Sequence, residues 1–291
     1  MHELRQSAPS AEGVDAAAVG HFLDALATAG IEAHSLMLLR HGAVVADAHW
    51  APYEAGQLNL LYSLSKSFVS VAAGIAVQEN RFRLTDRIVD LVPDLVPPDV
   101  ADNWRLVTVR DCLRMATGHL DDPAFHLAAD DWLAAFLRMP PEQAPGSVFT
   151  YNQLATYTVA RLIQETAGER LLDYLRPRLF EPLGVDTAAW LTDGHGHDLG
   201  FSGLHLPTDA IARLGQLLLQ RGEWHGRQLV PAGWIEEATS PQMPNDGAHR
   251  RPGVEEPTFD WGHGYGYQFW LCRNGFRGDG AFGQFCGAAG V

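Results

Sequence analysis

The sequence predicts an α+β fold in which an antiparallel sheet, built from both ends of the chain and flanked by helices, carries a mainly helical insertion. Three observations predict it. Residues 35–50 form two short strand-like runs about a His41-Gly42 turn, the pattern of a hairpin. Residues 265–273 alternate again near the other end. Between them, from about residue 85 to 205, helical periodicity and loops dominate. Strands at both ends with helices between describe a sheet closed through its termini. The expected organisation is a discontinuous α/β region, 1–84 and 206–291, with a helical insertion of 85–205, together one unit.

Residues 14–29 set Val14, Val19, Phe22, Leu23 and Leu26 at helical spacing. The hairpin follows. From Ser63 a run of small and apolar residues reads as a helix. Thr108 offers an N-cap to a helix expected to stop at Gly118. Further helices are expected over 130–138, over 151–167 with Gly168 closing it, and over 170–180. Residues 186–206 are a Gly- and His-rich loop region. Pro207 and Pro231 introduce helices 208–221 and 231–239. A strand from Tyr265, a turn at Asn274-Gly275 and the start of a strand at Ala281 complete the chain.

The 291 residues suffice for one large domain or two intertwined ones. A net charge of −14 argues against nucleic acid or an anionic membrane as partner. Cys112, Cys272 and Cys286 are too few and too scattered for a disulfide framework or a zinc motif, which suits a cytoplasmic setting. No N-terminal apolar stretch resembles a signal peptide, and no run reaches the length of a membrane span.

Of the 21 basic residues, 20 are Arg and one is Lys. That lysine, Lys66, stands three residues after Ser63 in Tyr62-Ser-Leu-Ser-Lys-Ser-Phe68. Arg serves wherever only charge is needed, whereas Lys can lose its proton when its pKa is depressed. On a helix beginning near Ser63 the hydroxyl and the amine share a face. The positive first turn and any burial would push the Lys66 pKa down. The pair then reads as nucleophile and general base, with helix N–H groups available to an oxyanion. The plainer reading of Ser63 is an N-cap.

Beyond this tetrad, several segments are similar to one family. Leu61-Tyr-Ser-Leu-Ser-Lys-Ser-Phe68 resembles the nucleophile segment of the serine beta-lactamase and penicillin-binding superfamily. Leu113-Arg-Met-Ala-Thr-Gly-His119, Phe149-Thr-Tyr-Asn-Gln153, Arg178-Leu-Phe-Glu-Pro-Leu-Gly-Val185 and Gly280-Ala-Phe-Gly-Gln284 resemble later segments, in order. The resemblance is closest to the branch of class C beta-lactamases, esterases and 6-aminohexanoate-oligomer hydrolases. It implies a beta-lactamase/transpeptidase-like fold and an acyl-enzyme formed on Ser63, with Lys66 as base. Tyr151 would share the proton transfers, its pKa lowered by a nearby ammonium. The Ser63 N–H and an N–H near Ala281, beside Gly280, would form the oxyanion hole. Gln153 stands where the family has Asn or Ser, and Asn152 is the adjacent amide. The third motif reads Arg277-Gly-Asp-Gly280 and lacks the usual Lys; Arg277 is its one basic residue.

The leading expectation is a hydrolase of a small ester or amide that needs no cofactor or metal. Alternatives are a non-catalytic binding or sensor protein, a beta-lactamase or D-alanyl peptidase, and a metal-dependent hydrolase using His195 and His197. His119 and His263 read as structural, and Trp234 and Trp270 as core or pocket wall. The substrate and the oligomeric state stay open. Because 287–291 supplies neither a strand nor an amphipathic helix, the chain is also expected to be a truncated form of a longer hydrolase, with exposed strand edges.

Overall fold

The computed structural model describes residues 4–122, 131–245 and 262–290; expectations for residues 1–3, for 130 and for Val291 fall outside them. In chain order the elements are β1 (Arg5–Gln6), α1 (Ala16–Thr28), β2 (Ser35–Arg40), β3 (Ala43–His49), β4 (Asn59–Leu60) and α2 (Ser65–Gln78). Then come α3 (Ile88–Leu91), α4 (Val109–Leu113), α5 (Trp132–Leu137), α6 (Gln153–Ala167), α7 (Leu171–Leu175) and α8 (Glu181–Leu183). The chain continues with β5 (Ala189–Trp190), β6 (Leu204–Leu206), α9 (Thr208–Leu219), β7 (Glu223–Trp224), β8 (Arg227–Gln228) and α10 (Ala232–Ala238). It ends in β9 (Trp270–Cys272), β10 (Gly275–Gly280) and β11 (Gln284–Ala289). The α+β class and the helical middle are as expected.

The terminal strands form two three-stranded sheets, ordered β1-β3-β2 and β11-β10-β9. Among the described residues no ladder joins them; α9 packs against both β2 and β11. Pairing is antiparallel except for β1, which runs parallel to β3. A third small sheet, β4-β6-β5, ties Asn59–Leu60 to Leu204–Leu206 and Ala189–Trp190. One hydrophobic cluster runs through both expected regions. At its centre lies α2, buried from Ser65 to Ala76. Its Gly74 admits the Trp234 indole, which a Cβ there would approach to 2.5 Å.

Local chemistry sets several boundaries. Thr108 and Asp111 form a reciprocal capping box on α4. That helix ends at Leu113, short of Gly118, because Met115 turns left-handed at φ 59°. Gly118 serves instead as a close approach, since a Cβ would lie 2.3 Å from the Gln143 carbonyl. The expected 170–180 helix is broken into α7 and a wider turn over Arg176–Phe180, where Pro177 has no N–H to give. The alternating 265–273 segment pairs as a strand only over Trp270–Cys272, because Gln268 is left-handed at φ 65°. Ala281 does not begin a strand. Phe282 at φ 66° and Gly283 at φ 96° turn the chain, and β11 runs from Gln284 to Ala289, so residues 287–289, expected to supply no strand, pair with β10 instead.

Candidate active site

The segment around Ser63 is fixed before any chemistry is considered. The Leu61 N–H donates to the Leu204 carbonyl (2.8 Å), and the chain enters a tight turn over Tyr62–Leu64 that leads into α2. Ser63 makes no capping bond, so the plain N-cap reading does not describe it. Its serine neighbours are latches. Ser65 Oγ accepts from the Leu204 N–H (3.2 Å), and Ser67 Oγ donates to the Gln268 carbonyl (3.1 Å).

Lys66, in the first turn of α2, is 1% exposed. Its Nζ lies 3.0 Å from Ser63 Oγ, 2.6 Å from Gln153 Oε1 and 2.9 Å from the Phe201 carbonyl. Burial lowers its pKa to about 7, against the opposing pull of Asp122 and Asp279. All three neighbours can accept a hydrogen bond from the amine, the Ser63 hydroxyl as well as Gln153 Oε1 and the Phe201 carbonyl.

Tyr151 sits just before α6, its ring centroid 4.9 Å from Nζ, and its phenol is hydrogen-bonded with Ser63. The ring stacks on Trp270 (5.2 Å, 23°) and meets Tyr265 edge-on (6.2 Å, 89°). Burial raises the Tyr151 pKa, opposite to the lowering expected from a nearby ammonium, because Lys66 is itself desolvated and Asp279 and Asp122 add to the rise. The phenol therefore stays protonated.

Of the adjacent amides, Gln153 faces Lys66 and Asn152 does not. Asn152 is fully buried and caps α6, its Oδ1 accepting from the N–H groups of Leu154 (2.9 Å) and Ala155 (3.2 Å). Its assignment as a substrate-binding amide is corrected to a helix cap.

Strand β10 lies against this turn. A Cβ on Gly278 would be 2.3 Å from Ser67 Oγ, and one on Gly280 would be 2.2 Å from the Leu61 carbonyl. This contact brings Gly280 and Ala281 beside the nucleophile turn. Arg277 is the basic residue of the third motif. Its Nε donates to Asp279 (2.9 Å) and its Nη1 to Cys272 Sγ (2.9 Å).

Sequence reasoning missed Asp122, Asp279, Gln268 and the Phe201 carbonyl. Asp122 Oδ1 accepts from the Gln153 N–H (3.2 Å). Gln268 is a buried polar joint, bonded to Ser67, to Thr156 and to the Leu113 carbonyl. Asp279 lies within a segment the sequence had singled out; the others gave no signal, and a carbonyl is invisible to composition. His119 is structural, held by Thr117 and the Met139 carbonyl. His197 Nδ1 is occupied by the Arg161 guanidinium (2.5 Å), and no metal-holding group of His, Cys, Asp or Glu occurs among the described residues. Nor is any described helix long and apolar enough to cross a membrane.

A family model described as Beta-lactamase matches residues 18–289. A 6-aminohexanoate-dimer hydrolase of Paenarthrobacter ureafaciens is 24% identical over 263 residues, which are 84% of this chain and 65% of that protein. The chain thus spans just under two thirds of that relative. The octameric penicillin-binding protein homologue from Pyrococcus abyssi shares the fold, with TM-score 0.67 and 18% identity over 91% of this chain and 67% of its own. EstCE1, a hydrolase with promiscuous acyltransferase activity, does so with TM-score 0.66 and 16% identity over 88% and 83%.

Proposed function

Because the chain belongs to the beta-lactamase family, we propose that it is a serine hydrolase, cleaving a small ester or amide through an acyl-enzyme on Ser63. The observation that supports this most is the Lys66 environment. A buried amine with two acceptors for its N–H groups and a serine hydroxyl at 3.0 Å is a preformed base.

In this reading neutral Lys66 takes the Ser63 proton as Oγ attacks the carbonyl carbon. The oxyanion is received by the N–H groups of Ser63 and Ala281. Asp122 and Asp279 favour the ammonium so formed. Tyr151 gives its phenolic proton to the leaving group and is reprotonated from Lys66. Water then attacks the acyl ester, losing a proton to the same pair, which returns it to Ser63 Oγ as the acid departs and so restores the serine and the neutral amine. Gln153 orients the amine throughout. A carboxylate on the substrate is disfavoured, because Arg277 is committed to Asp279 and Cys272.

Labelling tests the reading. A fluorophosphonate is expected to modify the protein at Ser63, and Ser63→Ala to abolish the adduct. Lys66→Arg is expected to be nearly as damaging as Lys66→Ala, since Arg keeps the charge without the base. Full activity in Lys66→Arg removes the general-base role. Absence of labelling favours a binding protein on this fold. Rates on a penicillin and on a simple ester in one preparation separate the beta-lactamase reading; ester turnover is expected to exceed it.

A further inference from the structure

Two aromatic side chains flank the proposed oxyanion donors. Tyr62 precedes Ser63, and Phe282 follows Ala281. Their ring centroids are 5.2 Å apart at 60°. Both backbones are left-handed, φ 47° at Tyr62 and φ 66° at Phe282. This conformation is uncommon for bulky residues, and surrounding structure must impose it. Phe282 is 87% exposed, so burial does not account for its ring. The close seat of Gly280 on the Leu61 carbonyl holds the two turns together and so sets the ring pair in place.

We propose that the Tyr62–Phe282 pair is an acyl-group subsite for an aromatic or extended apolar substituent on the substrate. The inference rests on the hydrolase reading above and names its substrate class. With the substrate carbonyl oxygen between the Ser63 and Ala281 N–H groups, the leaving group departs toward Tyr151. That side is closed by Trp270 and Tyr265. The acyl substituent lies away from that side, and Tyr62 and Phe282, each next in sequence to one of the two donors, are assigned to it. An apolar substituent there covers the exposed Phe282 ring and what remains open of the half-buried Tyr62 ring. A carboxylate or other anion gains nothing from them.

The test holds the leaving group constant. The 4-nitrophenyl esters of acetate and 3-phenylpropanoate are compared as the ratio of their kcat/KM values, in the wild type, Phe282→Ala, Phe282→Asn and Tyr62→Ala. The wild type is expected to favour the phenylpropanoyl ester, and each variant to lower the ratio about ten-fold, mainly through KM. Phe282→Asn retains a residue tolerant of the left-handed backbone and so decides the matter if an alanine variant does not fold. A ratio within two-fold of the wild type in all variants that fold overturns the subsite, as does a wild type that prefers acetate. If instead the protein self-associates and Phe282→Ala abolishes association without changing the ratio, the rings belong to a second copy. Loss of both turnover and Ser63 labelling in the wild type overturns the hydrolase reading, and this inference with it.

Discussion

The two halves of the candidate site are built in opposite ways. The Ser63–Lys66 half is made of side chains, Ser63 in the turn ahead of α2 and Lys66 buried in its first turn, fixed by Ser65, Ser67, Gln153 and the Phe201 carbonyl. The half supplied by β10 and its following turn is made of backbone. Gly278 and Gly280 are there because nothing larger fits, and the turn beyond them is exposed. One half is specified by which functional groups are present, the other by which atoms are missing. Chemistry placed in side chains should be lost by conservative swaps of polarity. Positioning placed in glycines should be lost by adding methyl groups.

The largest effect is expected on the side-chain half. Lys66→Met should lower kcat/KM by roughly 10²- to 10⁴-fold, the usual worth of a general base, measured with an activated ester. A loss below ten-fold would mean that β10 contributes more than α2. Gly278→Val, on the other half, drives a branched side chain into Ser67 and Leu64. It should cost about 1–3 kcal/mol of stability and reduce turnover through displacement of β10, read by denaturant unfolding and kcat together. In contrast, a Cβ on Gly287 of β11 meets nothing within 4 Å, and Gly287→Ala should leave both readouts near wild type.

The pH profile links the halves. With Lys66 as the proposed base, kcat/KM should rise as pH climbs through about 7 and flatten above it. Asp279 on β10 raises the Lys66 pKa, so Asp279→Asn should move that limb to lower pH. An unmoved limb would show that the halves are electrostatically independent. Stability follows the same group. The folded pKa is below the unfolded one, so the cost of burying the charge is fully present below about 7 and fades as pH rises toward 10.5. Asn152→Ala should cost about 1 kcal/mol from the lost α6 cap, seen as a lower Tm with the pH midpoint unchanged. A shifted midpoint would return Asn152 to the site.

The same contrast governs what could be read before the structure. The N-terminal hairpin, α1, α2, α6 with its Gly168 stop, and the Ser63–Lys66 pairing follow from local periodicity, caps and turn residues. The bounds of the C-terminal strands did not, because alternation over 265–273 is overridden by Gln268, whose polar groups join three distant segments. Burial of Tyr151, which reverses the expected direction of its pKa, depends on Trp270 and Tyr265 more than a hundred residues away. No local pattern encodes such a contact. The separation of the terminal strands into two sheets, both packed against α9, likewise depends on which strands find partners.

That Lys66 is the sole lysine has a consequence for observing the protein rather than for its reaction. Apart from the α-amine, every amine-selective reagent has one target, and that target is shut inside the fold at 1% exposure. Reductive methylation with isotopically labelled formaldehyde would place a single spectroscopic reporter on the ε-nitrogen. The rate at which that reporter forms would measure how often the interior around Lys66 opens to solvent.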